Sequence, residues 1–312
     1  MPVTIIGSES LGVRGMCCLV TAGRRRILID PGIALGYRRH GLLPHPCQVA
    51  AGIKIRREII KTLATATDIV FSHYHGDHVP LLQANPYQLS LMQLPDHCRE
   101  IHVWGKSPEN LPSRMQQRAA DLEAWLGKKI AIAEGSAAGP LHFSGPVPHG
   151  LAADIFGSVM MTRIDLPDQV FVHASDIQLV DAATVEKILA WKPDIVFVSG
   201  PPLYLQKLDK TARRLAWENA LRLAKNVKTL IVDHHLLRVS TGLIWLDRAS
   251  QASGKKVFCA AEFMNRPLRL LEARRSELYE QMPVPENWHQ HYEKGIITMD
   301  QVLNFTAGCI PE

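Results

Sequence analysis

Residues 71–80 read FSHYHGDHVP, with His73, His75, Asp77 and His78 crowded together directly after the apolar run DIVFS at 68–72. The run predicts a buried strand, which places the polar side chains in a loop at its carboxyl end. Loops there hold side chains in a crevice over a rigid sheet, where the active sites of α/β proteins gather. Two histidines spaced i, i+2 on an extended turn can grip one ion. The Asp-His pair that follows, read as opening a helix, can grip a second ion alongside. A histidine-rich polar loop looks the same in isolation, so the decision rests on partners elsewhere in the chain.

Those partners are present. Asp30 ends an apolar strand in ILIDPG, His149 lies in the turn-rich PVPHG, Asp176 closes FVHAS, and His234 and His235 close TLIVD. A strand-terminal Asp often caps the next turn, and a lone His is ordinarily a satisfied surface or core residue. Gathered at strand ends, where one rim of a sheet would collect them, they point to a shared site.

Strand-like runs recur at 3–7, 16–22, 26–30, 68–72 and 101–105, and again in KIAIA, LHFSG, SVMMTRI, QVFVHAS, DIVFVSG and TLIVDH. Helical periodicity covers 53–66, with Ile55, Ile59, Ile60 and Leu63 on one face, and 113–126, 181–191, 211–225 and 267–281. The early strands lie close together, as in hairpins, and the later ones alternate with helices. The pattern predicts an α/β fold with two sheets sandwiched between helices. No repeat or linker interrupts it, so residues 1–312 read as one domain with a helical extension at about 255–312. That extension would cover the sheet or form a homo-oligomer contact.

The chain of 312 residues is 46% hydrophobic with a net charge of +5, an ordinary globular composition. The basic balance is compatible with an anionic substrate and too dispersed to indicate nucleic acid. Arg24-Arg25-Arg26 reads as a solvated hairpin turn. The six cysteines lack CxxC spacing, and no disulfide framework is expected. No signal peptide or membrane span is evident, so a cytoplasmic location is expected.

HYHGDH resembles the HxHxDH signature of the metallo-β-lactamase superfamily, and the other landmarks follow in order: LIDPG, His149, Asp176 and a late histidine. His149 follows His78 by 71 residues, Asp176 follows His149 by 27, and His235 follows Asp176 by 59, intervals that look like the superfamily. GSESLGVRG, HGLLPHP, HASDIQ, SGPPLYL and DHHLLR look most like a prokaryotic branch of predicted metal-dependent hydrolases, which implies no substrate.

The resemblance spans roughly residues 3–240 and implies a four-layer αββα sandwich with two divalent ions. His73, His75 and His149 would bind the first ion. Asp77, His78 and the late His would bind the second, and Asp176 would bridge them. Asp30 looks like a buried carboxylate that orients ligands. For the late position related strands favour His235, with His234 the alternative. Imidazole and carboxylate ligands without thiolates fit zinc, and also iron or manganese. Two metals sharing a water would make hydroxide available for hydrolysis of an ester, thioester, lactone, amide or phosphoester, with Asp77 holding the water and taking its proton.

Around the rim, GYRRHGLLPHPCQ at 36–48 carries Arg38, Arg39, His40 and His45 and reads as a lid or a solvated connector. Arg238, Ser199 and Tyr204 are further candidates for a small or short anionic substrate. His97, His102, His142, His173, His289 and His291 are expected to have no catalytic part. Two rival functions come with the resemblance, a nuclease or phosphodiesterase and an iron-dependent, dioxygenase-like oxidoreductase. The first lacks an inserted domain or basic aromatic platform here; metal identity separates the second.

Overall fold

The computed structural model describes residues 1–150 and 157–306. The first sheet contains β1 (Val3–Gly7), β2 (Cys17–Ala22), β3 (Arg25–Ile29), β4 (Asp68–Phe71), β5 (His102–Gly105) and β6 (Ala131–Ile132), side by side in that order. Its first three strands are antiparallel neighbours, and from β3 onward the pairing is parallel.

The chain then forms β7 (Ala137–Ala138), β8 (Leu141–Phe143), a small ribbon of β9 (Val147–Pro148) and β10 (Ser158–Val159), and β11 (Thr162–Leu166), β12 (Gln169–Ala174), β13 (Ile195–Val198), β14 (Thr229–Val232) and β15 (Val257–Phe258). Apart from the ribbon, these make a seven-stranded sheet in the order β15-β14-β13-β12-β11-β8-β7. It is parallel from β12 to β15.

Strand alternation sorts the core into layers. Val3, Ile5, Cys18, Val20, Ile27 and Ile29 turn inward to meet Ile164, Phe171 and Val196 of the second sheet. Ile6, Cys17, Leu28 and Ile69 turn outward, onto α1 (Pro46–Leu63) and α2 (Ser113–Leu126). On the far side, α3 (Ala182–Ala190), α4 (Lys210–Asn226) and α5 (Thr241–Ser253) bury Val185, Ile188, Ala216, Leu223 and Leu246. The expected αββα sandwich is the observed one.

Several expectations are corrected. Helix α1 starts at Pro46, well before residue 53, because His45 caps it: its Nδ1 accepts from the Cys47 amide at 3.2 Å while Gln48 Oε1 accepts from the His45 amide at 3.3 Å. Residues 267–281 are helical only over Arg275–Gln281; upstream, the Arg269 amide bonds to the Ser10 carbonyl and Glu272 pairs with Arg14. The stretch from 255 is not only helical, since Val257–Phe258 adds β15 to the second sheet. The helices beyond it bury Trp288, Tyr292 and Val302 in the core shared with α1.

Arg25 is not merely solvated: its guanidinium forks onto Asp68 at the start of β4, which also accepts from Trp104 Nε1 at 2.9 Å. Cys17, Cys18, Cys98 and Cys259 are buried free thiols, whereas Cys47 is disulfide-bonded, a tie that the spacing did not indicate. Among the described residues no helix is long and apolar enough to cross a membrane.

Candidate metal centre

The polar cluster forms where strands of both sheets end. From the first sheet come Asp30, just past β3, and His73, His75, Asp77 and His78, just past β4; from the second come Asp176, past β12, and His234 and His235, past β14. His149 follows the ribbon strand β9. The Asp-His pair does not open a helix. Both the His78 and Val79 amides bond to the His75 carbonyl, closing a turn, and Pro80 follows with no amide to continue it.

Asp176 lies at the centre. Its Oδ2 is 2.8 Å from His149 Nε2, 3.3 Å from His73 Nε2 and 3.7 Å from both His75 Nδ1 and His235 Nε2. Its Oδ1 faces His78 Nε2 at 3.2 Å and His234 Nε2 at 3.5 Å. His234 Nε2 is also 3.4 Å from Asp77 Oδ2. Four donor groups that share members result among the described residues, and two of them have no residue in common: a first set of His73, His75, His149 and Asp176 and a second of Asp77, His78 and His234. His234, not the favoured His235, sits with Asp77 and His78; His235 groups with Asp176 and His234.

These residues fit divalent ions. His78 Nε2 and Asp176 Oδ1 are buried without a hydrogen-bond partner, an arrangement that is costly unless something else satisfies them. The donors are nitrogen and oxygen, with no thiolate, as zinc, iron or manganese accept. Burial drives His73 down to about 3 and His234 down to about 4, which keeps these rings neutral with a lone pair available. Burial opposes ionisation of Asp176, but the facing rings of His78, His235, His234 and His149 outweigh it and hold its carboxyl well below the usual range.

Behind the donors stands a ring of hydrogen bonds that aims them. Asp30 Oδ2 accepts from Ser72 Oγ at 2.7 Å and Ser175 Oγ at 2.6 Å and lies 3.0 Å from His78 Nδ1, leaving Nε2 to face the centre. Ser72 Oγ is also 2.9 Å from His73 Nδ1, and Gln178 Nε2 is 3.4 Å from His149 Nδ1. The Gly15 amide lies 3.1 Å from His234 Nδ1.

Relatives match nearly the whole chain in sequence. A UPF0282 protein of Methanosarcina mazei is 50% identical over 303 residues, 97% of this chain and 100% of its own. The chain belongs to the UPF0282 family. A family member from Methanopyrus kandleri is 35% identical over 296 residues, covering 89% of this chain and 99% of its own. A scan against protein-family models found no match. Among solved structures, Tm1679, described as a metal-dependent hydrolase of the β-lactamase superfamily, aligns with 82% of this chain and 94% of its own. The TM-score is 0.51 and the identity 13%. At that identity the likeness is one of fold, and the fold is that of the metallo-β-lactamases.

The rim residues are scattered more widely than the sequence implied. Arg38 and His40 are exposed, Arg38 Nη1 bonding only to the Gly41 carbonyl at 3.1 Å. His45 is buried as the cap of α1, with Nδ1 accepting from the Cys47 amide and Nε2 2.9 Å from the Met282 carbonyl. Ser199 builds a turn: its Oγ donates to the Ile177 carbonyl, and its own carbonyl accepts from the His235 and Leu236 amides. Tyr204 and Arg238 do reach the cluster. Arg238 Nη1 is 3.1 Å from Tyr204 OH and Nη2 is 3.3 Å from Asp77 Oδ2.

Arg39 is the member of the 36–48 stretch that approaches them. Its guanidinium lies 5.1 Å over the Tyr204 ring and Nη2 donates to the Arg238 carbonyl at 2.8 Å. Sequence reasoning missed Ser72, Ser175 and Gln178. A signal was available for the serines, since each directly precedes a candidate ligand, His73 or Asp176.

Proposed function

We propose that the protein is a metal-dependent hydrolase that uses two divalent ions, zinc by the chemistry of the donors, to cleave an ester, thioester, lactone or phosphoester in a small anionic substrate. The observation that carries this reading is the convergence of six imidazoles on the two oxygens of Asp176, within 2.8–3.7 Å. A structural role alone needs no such crowding of imidazoles around one buried carboxylate.

Bound ions would supply Lewis acidity, bringing the pKa of a water toward neutrality and polarising the oxygen of the bond to be broken. The chain's own residues do the rest. The His73 and His78 rings are fixed by Ser72 and Asp30, so that each turns Nε2 inward. Asp77 is held ionised: burial opposes it, and His234, His78 and Arg238 outweigh that burial. It is therefore unprotonated at neutral pH and can hold an attacking water by accepting its hydrogen bond. Arg238, Arg39 and Tyr204 give the margin a positive, aromatic character suited to an anionic group.

The test is elemental analysis of protein purified without chelator or tag-derived metal, followed by a panel of phosphodiester, thioester, lactone and carboxylic ester substrates. Up to two zinc or manganese ions per chain, with turnover abolished by chelation and restored by the ion, are expected. About one iron per chain and dioxygen consumption would replace hydrolysis with the dioxygenase-like reading. No bound metal after reconstitution would overturn the assignment of the ligands.

A further inference from the structure

The two donor sets are not equivalent, because a positively charged side chain already lies in one of them. His234 and Arg238 are four residues apart across the turn Leu236–Arg238, whose start is pinned by the Ser199 carbonyl. That spacing brings their side chains together. Arg238 Nη2 is 2.6 Å from His234 Nε2 and 3.3 Å from Asp77 Oδ2, two atoms themselves 3.4 Å apart. The guanidinium nitrogen thus completes a triangle with two donors of the second set.

A zinc ion bound by the same pair would sit about 2.0–2.2 Å from each, so an ion and Nη2 cannot share the space. A neutral imidazole carries one in-plane lone pair, for which the Gly15 amide at Nδ1 and the guanidinium at Nε2 contend. Whichever holds it, Nη2 fills the gap between His234 and Asp77.

Arg238 is also anchored from behind. Nη1 bonds to Tyr204 OH at 3.1 Å, Nε lies 3.6 Å from the buried Glu9 Oε2, and Arg39 holds the Arg238 carbonyl at 2.8 Å. No comparable cation stands against the first set among the described residues, whose donors face one another and Asp176.

We propose that Arg238 is a built-in competitor for the second ion: the first set binds a divalent ion tightly, and the second set fills only when the guanidinium is displaced. The inference rests on the metal-centre reading above and concerns the inequality of its two sites. It would make the resident state singly metallated at low metal, with Arg238 supplying positive charge beside Asp77.

Zinc titration of the metal-stripped full chain by calorimetry, with elemental analysis after gel filtration, tests it. The wild type is expected to retain one ion and to take the second more than about tenfold more weakly, since a fixed charge at such short range is poorly screened. Arg238→Met should retain two ions, and Arg238→Lys, which keeps the charge, should stay closer to the wild type. Tyr204→Phe removes the Nη1 anchor and should strengthen the second site in the same direction, which covers the case in which Arg238→Met fails to fold. Two ions of matching affinity in the wild type, or a second site in folded Arg238→Met no tighter than in the wild type, would overturn the proposal. Absence of binding at either site would instead sink the metal-centre reading on which it rests.

Discussion

Asp30 and Asp176 both occupy left-handed backbone conformations, at φ 48° and 53°, which side chains other than glycine adopt at a cost of roughly 1–3 kcal/mol. Each follows the end of a strand, and the left-handed step turns its carboxylate toward the histidines. Asp30 serves as the hub of Ser72, Ser175 and His78. Asp30→Asn keeps the volume and removes the charge, so metal affinity should fall about 10–100-fold, read by competition with a calibrated chelator. Unchanged affinity would show that His78 is oriented by packing alone. The late histidines give a second contrast. His234 is 3.4 Å from Asp77 Oδ2, whereas His235 lies 3.7 Å from Asp176 Oδ2 and outside the group of Asp77 and His78. In a substrate assay His234→Ala should therefore lose more activity than His235→Ala, by about tenfold or more. The opposite order would return the ligand role to His235.

At the scale of elements, Gly32 is where the loop after β3 meets the histidine loop. A Cβ there would lie 2.2 Å from the Val79 amide nitrogen and 2.3 Å from the His78 carbonyl carbon. Backbone cannot yield as a side-chain tip does, so Gly32→Ala should cost at least about 2 kcal/mol in denaturant unfolding and loosen metal binding. Wild-type stability with full metal content would refute the close approach.

Most strand ends were legible in the sequence, because apolar runs of strand length stop abruptly at polar residues; the close approach at Gly32 was not. The choice between His234 and His235 was not. The chain leaves β14 after Val232, so period-two alternation no longer says which way a side chain points. Asp233 turns away to accept from Ser8, Ser10 and Ala260, and the turn at Leu236 begins at once. Nor was the place of His45 within the 36–48 stretch legible. The polarity of the stretch resembled a rim loop, but His45 is a helix cap of an uncommon residue type.

The C-terminal helices have an acid sensitivity of their own. His289 lies between Tyr87 OH, 3.0 Å from Nδ1, and Tyr279 OH, 2.8 Å from Nε2. Burial, with added repulsion from His45 and Arg275, lowers it from 6.5 to about 4. The native state thus binds this proton less readily than the unfolded chain does. Its contribution is fully present above pH 6.5 and is lost as pH falls toward 4. His289→Gln retains polar contact without titrating, so the stability gap between wild type and variant should shrink on acidification from neutrality. A gap constant with pH would remove His289 from the acid response.

For the molecule as a whole, the centre joins the two sheets at their rim. His73, His75, Asp77 and His78 come from the loop after β4, and Asp176 and His234 from the second sheet. Between the sheets the contacts are apolar and undirected, while at the rim buried carboxylates and imidazoles face one another across the join. An ion held by groups from both sides binds the assembled pair and not the separated strands, so its binding free energy adds to folding. Stripping the metal should lower the unfolding temperature, and restoring zinc at about 1,000 times its Kd should return about 4 kcal/mol. The gain must disappear in His73→Ala if the first donor set is its source. If zinc raises the unfolding temperature of that variant as much as that of the wild type, the ion binds elsewhere. If it raises neither, the rim is held by hydrogen bonds and packing without an ion.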